Sequence, residues 1–178
     1  IPRLASLLRS ERQYPQGVIA GPLLGFVRNS EDQTSVVGAE GLELSQEEHL
    51  AGKAGSRKYE ISADGVRIPV TEVEETPAVD GQDVILTIDS DINYVAQRAA
   101  EKKQAEFNAE WVSVVVMEVD TGKILAIGDS AELDPNDPGA TKPEFRRSTS
   151  ITRAFEPGST GKAPIFAAAI DQGGVDPL

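Results

Sequence analysis

The stretch FEPGSTGKAP, residues 155–164, sets Ser159 three residues ahead of Lys162, with Pro157 and Gly158 just upstream and the apolar run IFAAAI, residues 165–170, just downstream. A serine hydroxyl is a weak nucleophile until a nearby group takes its proton. The one histidine, His49, lies far upstream, so a lysine is the base within reach. Lysines serve in that role where desolvation or neighbouring positive charge favours the uncharged amine. Spacing i, i+3 places both side chains on one helical face, about 5–6 Å apart at Cβ. The unpaired N–H groups at a helix start carry roughly half an elementary charge, which favours neutral lysine and stabilises an oxyanion. The apolar run is expected to bury the helix and hold it fixed. Pro164 cannot donate to the carbonyl of Thr160, which predicts a kink or a loosened turn just past Lys162.

By itself S-x-x-K is a weak signal, and a capping serine followed by a solvated lysine fits it better than catalysis does. A phosphate loop is the other reading of GSTGK. It fails because Glu156 stands where that loop needs glycine, and Ala163 where it needs serine or threonine.

Composition narrows the field. The chain has 178 residues, 39% hydrophobic and 26% charged, a balance that supports one or two packed domains. Its net charge of −12 opposes binding to nucleic acid through phosphates. With no cysteine, disulfides and thiolate metal sites are excluded. The best apolar candidate, VIAGPLLGFV, is broken by two glycines and a proline and is far shorter than the roughly 20 residues a spanning helix needs. No signal-peptide pattern is present and the chain begins at Ile1, so it reads as part of a longer polypeptide, with a membrane anchor upstream left open.

Along the chain, PRLASLLRSE reads as a short helix and RQYPQGVIAGPLLGFV as extended segments and turns. SEDQTSV, residues 30–36, reads as an exposed loop. Ser45 followed by Glu48 has the pattern of a capping box opening a two-turn helix that Gly52 ends. KYEISADGVRIPV alternates around Asp64-Gly65, a hairpin signal. The acidic stretch 71–83 reads as a solvated linker and the domain boundary, giving domains at 1–76 and 77–178. VILTI then predicts a strand. A helix follows over about 91–107, capped by Asp89 or Ser90, with Ile92, Val95, Ala96 and Ala99 on its apolar face. EWVSVVVMEVDTGKILAIGDS predicts two strands joined by a tight turn at Gly122. LDPNDPGATKPE predicts a loop. A final helix is expected from about Ser159, closing at Gly173-Gly174.

With these elements in order, the chain resembles class B penicillin-binding proteins. FEPGSTGK is similar to their active-site signature. RQYPQGVIAGPLLGFV resembles the Arg-x-Tyr-Pro segment of their N-terminal pedestal, and GAEGLELSQEEHLAGKAG the Gly-x-x-Gly-Leu-Glu block. DVILTIDSDINYVAQRAAE resembles the opening of the transpeptidase domain, and VVVMEVDTGKILAIGD with LDPNDP its first hairpin and following loop. The blocks occur in the family's order and cover most of the chain, which shifts the reading of Ser159 to catalysis.

The resemblance implies an α+β fold: an irregular pedestal, then the first part of a serine-transpeptidase domain, an antiparallel sheet flanked by helices. It implies peptidoglycan D,D-transpeptidation, with Ser159 as nucleophile, Lys162 as general base and the Ser159 backbone N–H as half of the oxyanion hole. Peptidoglycan stem peptides on lipid-linked precursors and β-lactams are the implied ligands, and a membrane glycan polymerase and other division proteins the implied partners. No metal or cofactor is called for. The implied location is the extracytoplasmic face of the bacterial membrane, at the septum. Gly161 stands where many members have a bulkier residue. The S-x-N and K-T-G elements of the family are absent from these residues and are expected downstream of Leu178. The 178 residues alone are therefore expected not to bind penicillin covalently. A non-catalytic scaffold of the wall-synthesis complex is the alternative, and a β-lactam sensor or β-lactamase a third.

Other residues read as structural: His49 as an exposed helix residue, Trp111 as core or edge packing, Asp89 as a cap, and Asp134, Asn136 and Asp137 as parts of a turn. Glu156 is placed to orient backbone before the Ser159 turn and is not read as catalytic.

Overall fold

Strong local signals build the second half of the chain. Asp89 caps a long helix by accepting from the backbone N–H groups of Asp91 and Ile92 at 2.9 and 3.0 Å. The helix closes on Asn108 in the left-handed conformation. In the alternating run beyond it two strands pair antiparallel, and Gly122 takes the positive φ, 73°, that their connection requires.

The computed structural model describes residues 11–31, 33–58, 60, 62–63, 68 and 74–176. Among them the order is α1 (Gly21–Leu24), β1 (Val27–Asn29), β2 (Val36–Gly38), α2 (Gly41–Ser45), α3 (Glu47–Leu50), β3 (Ser56–Lys58), β4 (Glu74–Thr76), α4 (Ser90–Phe107), β5 (Ser113–Met117), β6 (Ile124–Asp129), α5 (Thr149–Thr152) and α6 (Lys162–Asp171). Three two-stranded antiparallel sheets form, β1-β2, β3-β4 and β5-β6. The architecture is α+β. Its densest packing is α4 laid across β5 and β6, where Ala96, Ala100 and Ala126 are buried.

The first half is joined to the second by specific contacts. Ser148 N–H donates to the Pro22 carbonyl at 3.1 Å. Arg147 meets Glu40 at 3.1 Å. Leu133, fully buried, brings its carbonyl against Gly21, where an added Cβ would come within 1.9 Å of it. The R-x-Y-P and GLE blocks also meet: Arg12 Nε donates to Glu43 Oε1 at 2.8 Å, and Glu43 is buried. Among the described residues the buried Tyr14 hydroxyl has no partner at hydrogen-bond geometry. Burial first, then the charge of Glu43, pushes this phenol up to about 12.

Several expectations are corrected. RQYPQGVIAGPLLGFV holds a short helix, α1, with Pro22 in its first turn, where no N–H is needed. Ser45 does not open a helix. It ends α2, which begins at Gly41 behind Glu40, and α3 follows after Gln46. VILTI is not a strand: Ile85 is 94% exposed, and its neighbours join β6 through Asp89 N–H to the Leu125 carbonyl at 2.8 Å and Thr87 Oγ1 to the Ile124 carbonyl at 2.5 Å. Part of the supposed linker is β4, with Glu75 paired to Arg57 at 3.2 Å. The buried stripe of α4 is Asn93, Ala96, Gln97 and Ala100, so only Ala96 of the predicted face belongs to it. Residues 2–10 of PRLASLLRSE and the Asp64-Gly65 turn lie outside the described residues, although Ile68 N–H does donate to the Glu60 carbonyl at 3.0 Å.

Candidate active site

Ser159 lies in a 3₁₀ turn, Gly158–Gly161, that feeds directly into α6, whose first residue is Lys162. Gly158 has φ 53°, a conformation disfavoured for a residue carrying Cβ, and this bend turns the chain from Pro157 into the serine. Side chains three apart eclipse one another in a 3₁₀ turn. The backbone therefore sets Ser159 and Lys162 on one side of the entry to α6. Thr160, between them, turns its hydroxyl back to the Pro157 carbonyl at 2.5 Å. The Lys162 N–H reaches back to the Ser159 and Thr160 carbonyls.

Two expectations for this element change. The irregular turn precedes Lys162 instead of following it. Pro164 thereby falls in the first turn of α6, where its missing N–H costs no helical bond. The apolar run does not bury the helix among the described residues. Ile165, Phe166 and Ile170 are 69%, 57% and 41% exposed, and the principal packing partner of α6 is the turn before it. Ser159 and Lys162 are themselves exposed. The helix ends as expected at the glycine pair, with Gly173 at φ 71° and Gly174 N–H donating to the Ala169 carbonyl at 2.8 Å.

The approach to Ser159 is held from the hairpin side. Phe155 stands edge-on to Trp111, with ring centroids 6.2 Å apart. Arg153 lies over the Phe145 ring at 5.7 Å and faces Glu110 at 3.6 Å. Trp111 is thus an edge-packing residue, as its position before the strand suggested. Arg153 and Glu110 carried no local sequence signal, because their partners are set by tertiary structure. His49 is exposed at the end of α3, Asp89 is a cap, and Glu156 is exposed. Asp134 Oδ1 accepts from both the backbone N–H and the side-chain amide of Asn136 at 2.9 Å, so this acidic loop is a turn closed on itself. Among the described residues no group of three or more metal-ligating side chains comes together. None of the described helices is long and apolar enough to cross a membrane.

Ser159 in a 3₁₀ turn and Lys162 at the head of an apolar helix thus stand beside an antiparallel hairpin backed by a long helix. Comparison with known proteins agrees along the chain. Residues 2–86 match the penicillin-binding protein dimerisation domain, and residues 112–177 the penicillin-binding protein transpeptidase domain. The penicillin-binding protein PbpB of Mycolicibacterium smegmatis is 36% identical over 99% of this chain and 26% of its own length. A probable peptidoglycan D,D-transpeptidase, PenA of Neisseria flavescens, is 39% identical over 79% of this chain and 35% of its own length. A peptidoglycan synthetase of Bifidobacterium adolescentis has a similar structure, with TM-score 0.72 and 30% identity over 92% of this chain and 28% of that one. The chain belongs to the class B penicillin-binding protein family and corresponds to the N-terminal portion of its members. It spans about a quarter to a third of the length of the relatives it matches.

Proposed function

We propose that the protein is a peptidoglycan D,D-transpeptidase in which Ser159 is the nucleophile and Lys162 the general base. The observation that carries this reading is the placement of Ser159 on the turn that opens α6 and of Lys162 as the first residue of that helix. Ser159 Oγ attacks the carbonyl carbon of the penultimate D-alanine of a stem peptide while its proton passes to Lys162 Nζ. The C–N bond breaks as that proton reaches the departing D-alanine amine, leaving an ester on Ser159. An amine of a neighbouring stem then takes the acyl group and the serine recovers its proton. A β-lactam, whose strained amide resembles the same peptide end, acylates the same oxygen.

The natural protein acts outside the cell membrane, at the septum, beside a membrane glycan polymerase. Support for that partnership is the similarity, at TM-score 0.70 and 26% identity, to a chain from a study of polymerization and crosslinking by a peptidoglycan synthase complex. The pedestal, residues 1–76, supplies the scaffold and residues 77–178 begin the catalytic domain. Intact-mass analysis of the natural protein with benzylpenicillin, beside its Ser159→Ala variant, tests the reading. One penicilloyl adduct on the parent and none on the variant is expected. An adduct on the variant, or none on the parent, overturns it.

A further inference from the structure

Asp129, at the end of β6, is 3% exposed, and all the hydrogen bonds described for its side chain fall on one carboxylate oxygen. Oδ1 accepts from Ser113 Oγ at 2.8 Å, Thr149 Oγ1 at 2.6 Å and Thr149 N–H at 3.2 Å. Oδ2 is buried without a partner among the described residues. Taking a carboxylate out of water and leaving one oxygen unsatisfied opposes stability, and an apolar pair of similar shape would fold as well or better. What the arrangement achieves is placement. Thr149, 1% exposed, is the first residue of α5. Its carbonyl accepts the Arg153 N–H at 3.0 Å. From Arg153 the chain runs through Phe155, against Trp111, to Pro157 and Ser159. On its other side α5 is fixed by Ser148 N–H on the Pro22 carbonyl.

We propose that Asp129 is a positioning residue for Ser159, acting through Thr149 and α5 to fix the angle at which the serine turn leaves the sheet. This rests on the nucleophilic role of Ser159. A carboxylate that only orients a remote segment should change the rate of bond formation and leave reversible recognition of the ligand alone. Displacement of a reacting group by about 1 Å costs about 10²-fold in rate.

The test separates the reversible dissociation constant from the first-order acylation constant for a chromogenic β-lactam on the natural full-length protein. Asp129→Ala is expected to lower the acylation constant by about 10-fold or more with the dissociation constant unchanged. Asp129→Asn keeps an acceptor for Thr149 and is expected to stay within about threefold of the parent. Should Asp129→Ala fail to fold, Thr149→Val, which loses one hydroxyl bond at constant shape, is expected to slow the same step. Parent-like acylation by Asp129→Ala, or by Thr149→Val where that variant stands in, overturns the proposal. So does equal slowing by the alanine and asparagine variants, which would remove the link to Thr149. Failure of the nucleophile reading looks different: Ser159→Ala would still take the label.

Discussion

The side-chain amide of Asn136 grips the backbone of Tyr14 in both directions. Its Oδ1 accepts the Tyr14 N–H at 3.2 Å and its Nδ2 donates to the Tyr14 carbonyl at 3.1 Å, across 122 residues of sequence. An amide side chain here does what a neighbouring strand would do. It fastens the R-x-Y-P segment to the loop after the hairpin, and Asp134 holds the amide in that orientation.

Asn136→Ala removes both bonds and is expected to cost about 1–3 kcal/mol, since each net bond contributes about 0.5–1.5 kcal/mol. Asn136→Asp keeps the acceptor but turns a second oxygen toward the Tyr14 carbonyl, so it should be no better than alanine. Urea unfolding of the natural protein and its variants measures both. Parent stability in the aspartate variant would show that the donor half of the grip contributes nothing.

Arg12→Ala leaves Glu43 buried without its charged donor. The expected loss is about 2 kcal/mol, the range for a hydrogen bond to a charged group. Arg12→Gln should recover part of it by supplying an uncharged N–H. Denaturant midpoints at matched slopes give the comparison.

Tyr14 supplies a pH dependence. Its folded-state phenol, pushed up to about 12, lies above the ordinary value of 10.0. In that window the unfolded chain has already lost the proton that the folded chain still holds. Stability from this group is therefore full below about pH 10 and falls as pH rises toward about 12. Tyr14→Phe should flatten that alkaline decline, and phenolate absorbance should show one late-titrating tyrosine in the parent that is missing from the variant.

On the proposed role, Lys162→Arg discards the base, because guanidinium does not deprotonate in this range. Acylation by a β-lactam is expected to fall by about 10²–10⁴-fold, the usual contribution of a positioned base, and no rise in pH up to 9 should rescue it. Stopped-flow acylation kinetics decide the matter. A Lys162→Arg protein of parent rate would make the residue an electrostatic neighbour only.

The elements that sequence revealed are those set by local chemistry. Asp89 at the cap, Gly122 at the turn and the glycine pair after α6 each dictate a backbone conformation within a few residues. The place of Ser159 at a helix entry followed from such signals, while the α+β class came from the resemblance of the ordered blocks to a known family. The faces did not. Asn93 displaced the apolar stripe of α4 because its Oδ1 accepts the Ile127 N–H at 2.8 Å, an edge-to-helix bond that hydrophobic periodicity does not register. The Ser45–Glu48 pair satisfied a capping pattern, but Glu47 reached instead to the Gly38 N–H at 2.7 Å. At the site, serine and lysine were legible as a motif. The Asp129–Thr149 contact was not, because its partners lie 20 residues apart and meet only in the buried fold.

The contact between Trp111 and Phe155 has a use of its own. Trp111 is the sole tryptophan in the sequence, and its ring touches the strand of chain that delivers Ser159. The indole is a built-in optical gauge of the segment that carries Ser159, so a tilt of that segment would be written into the emission of Trp111.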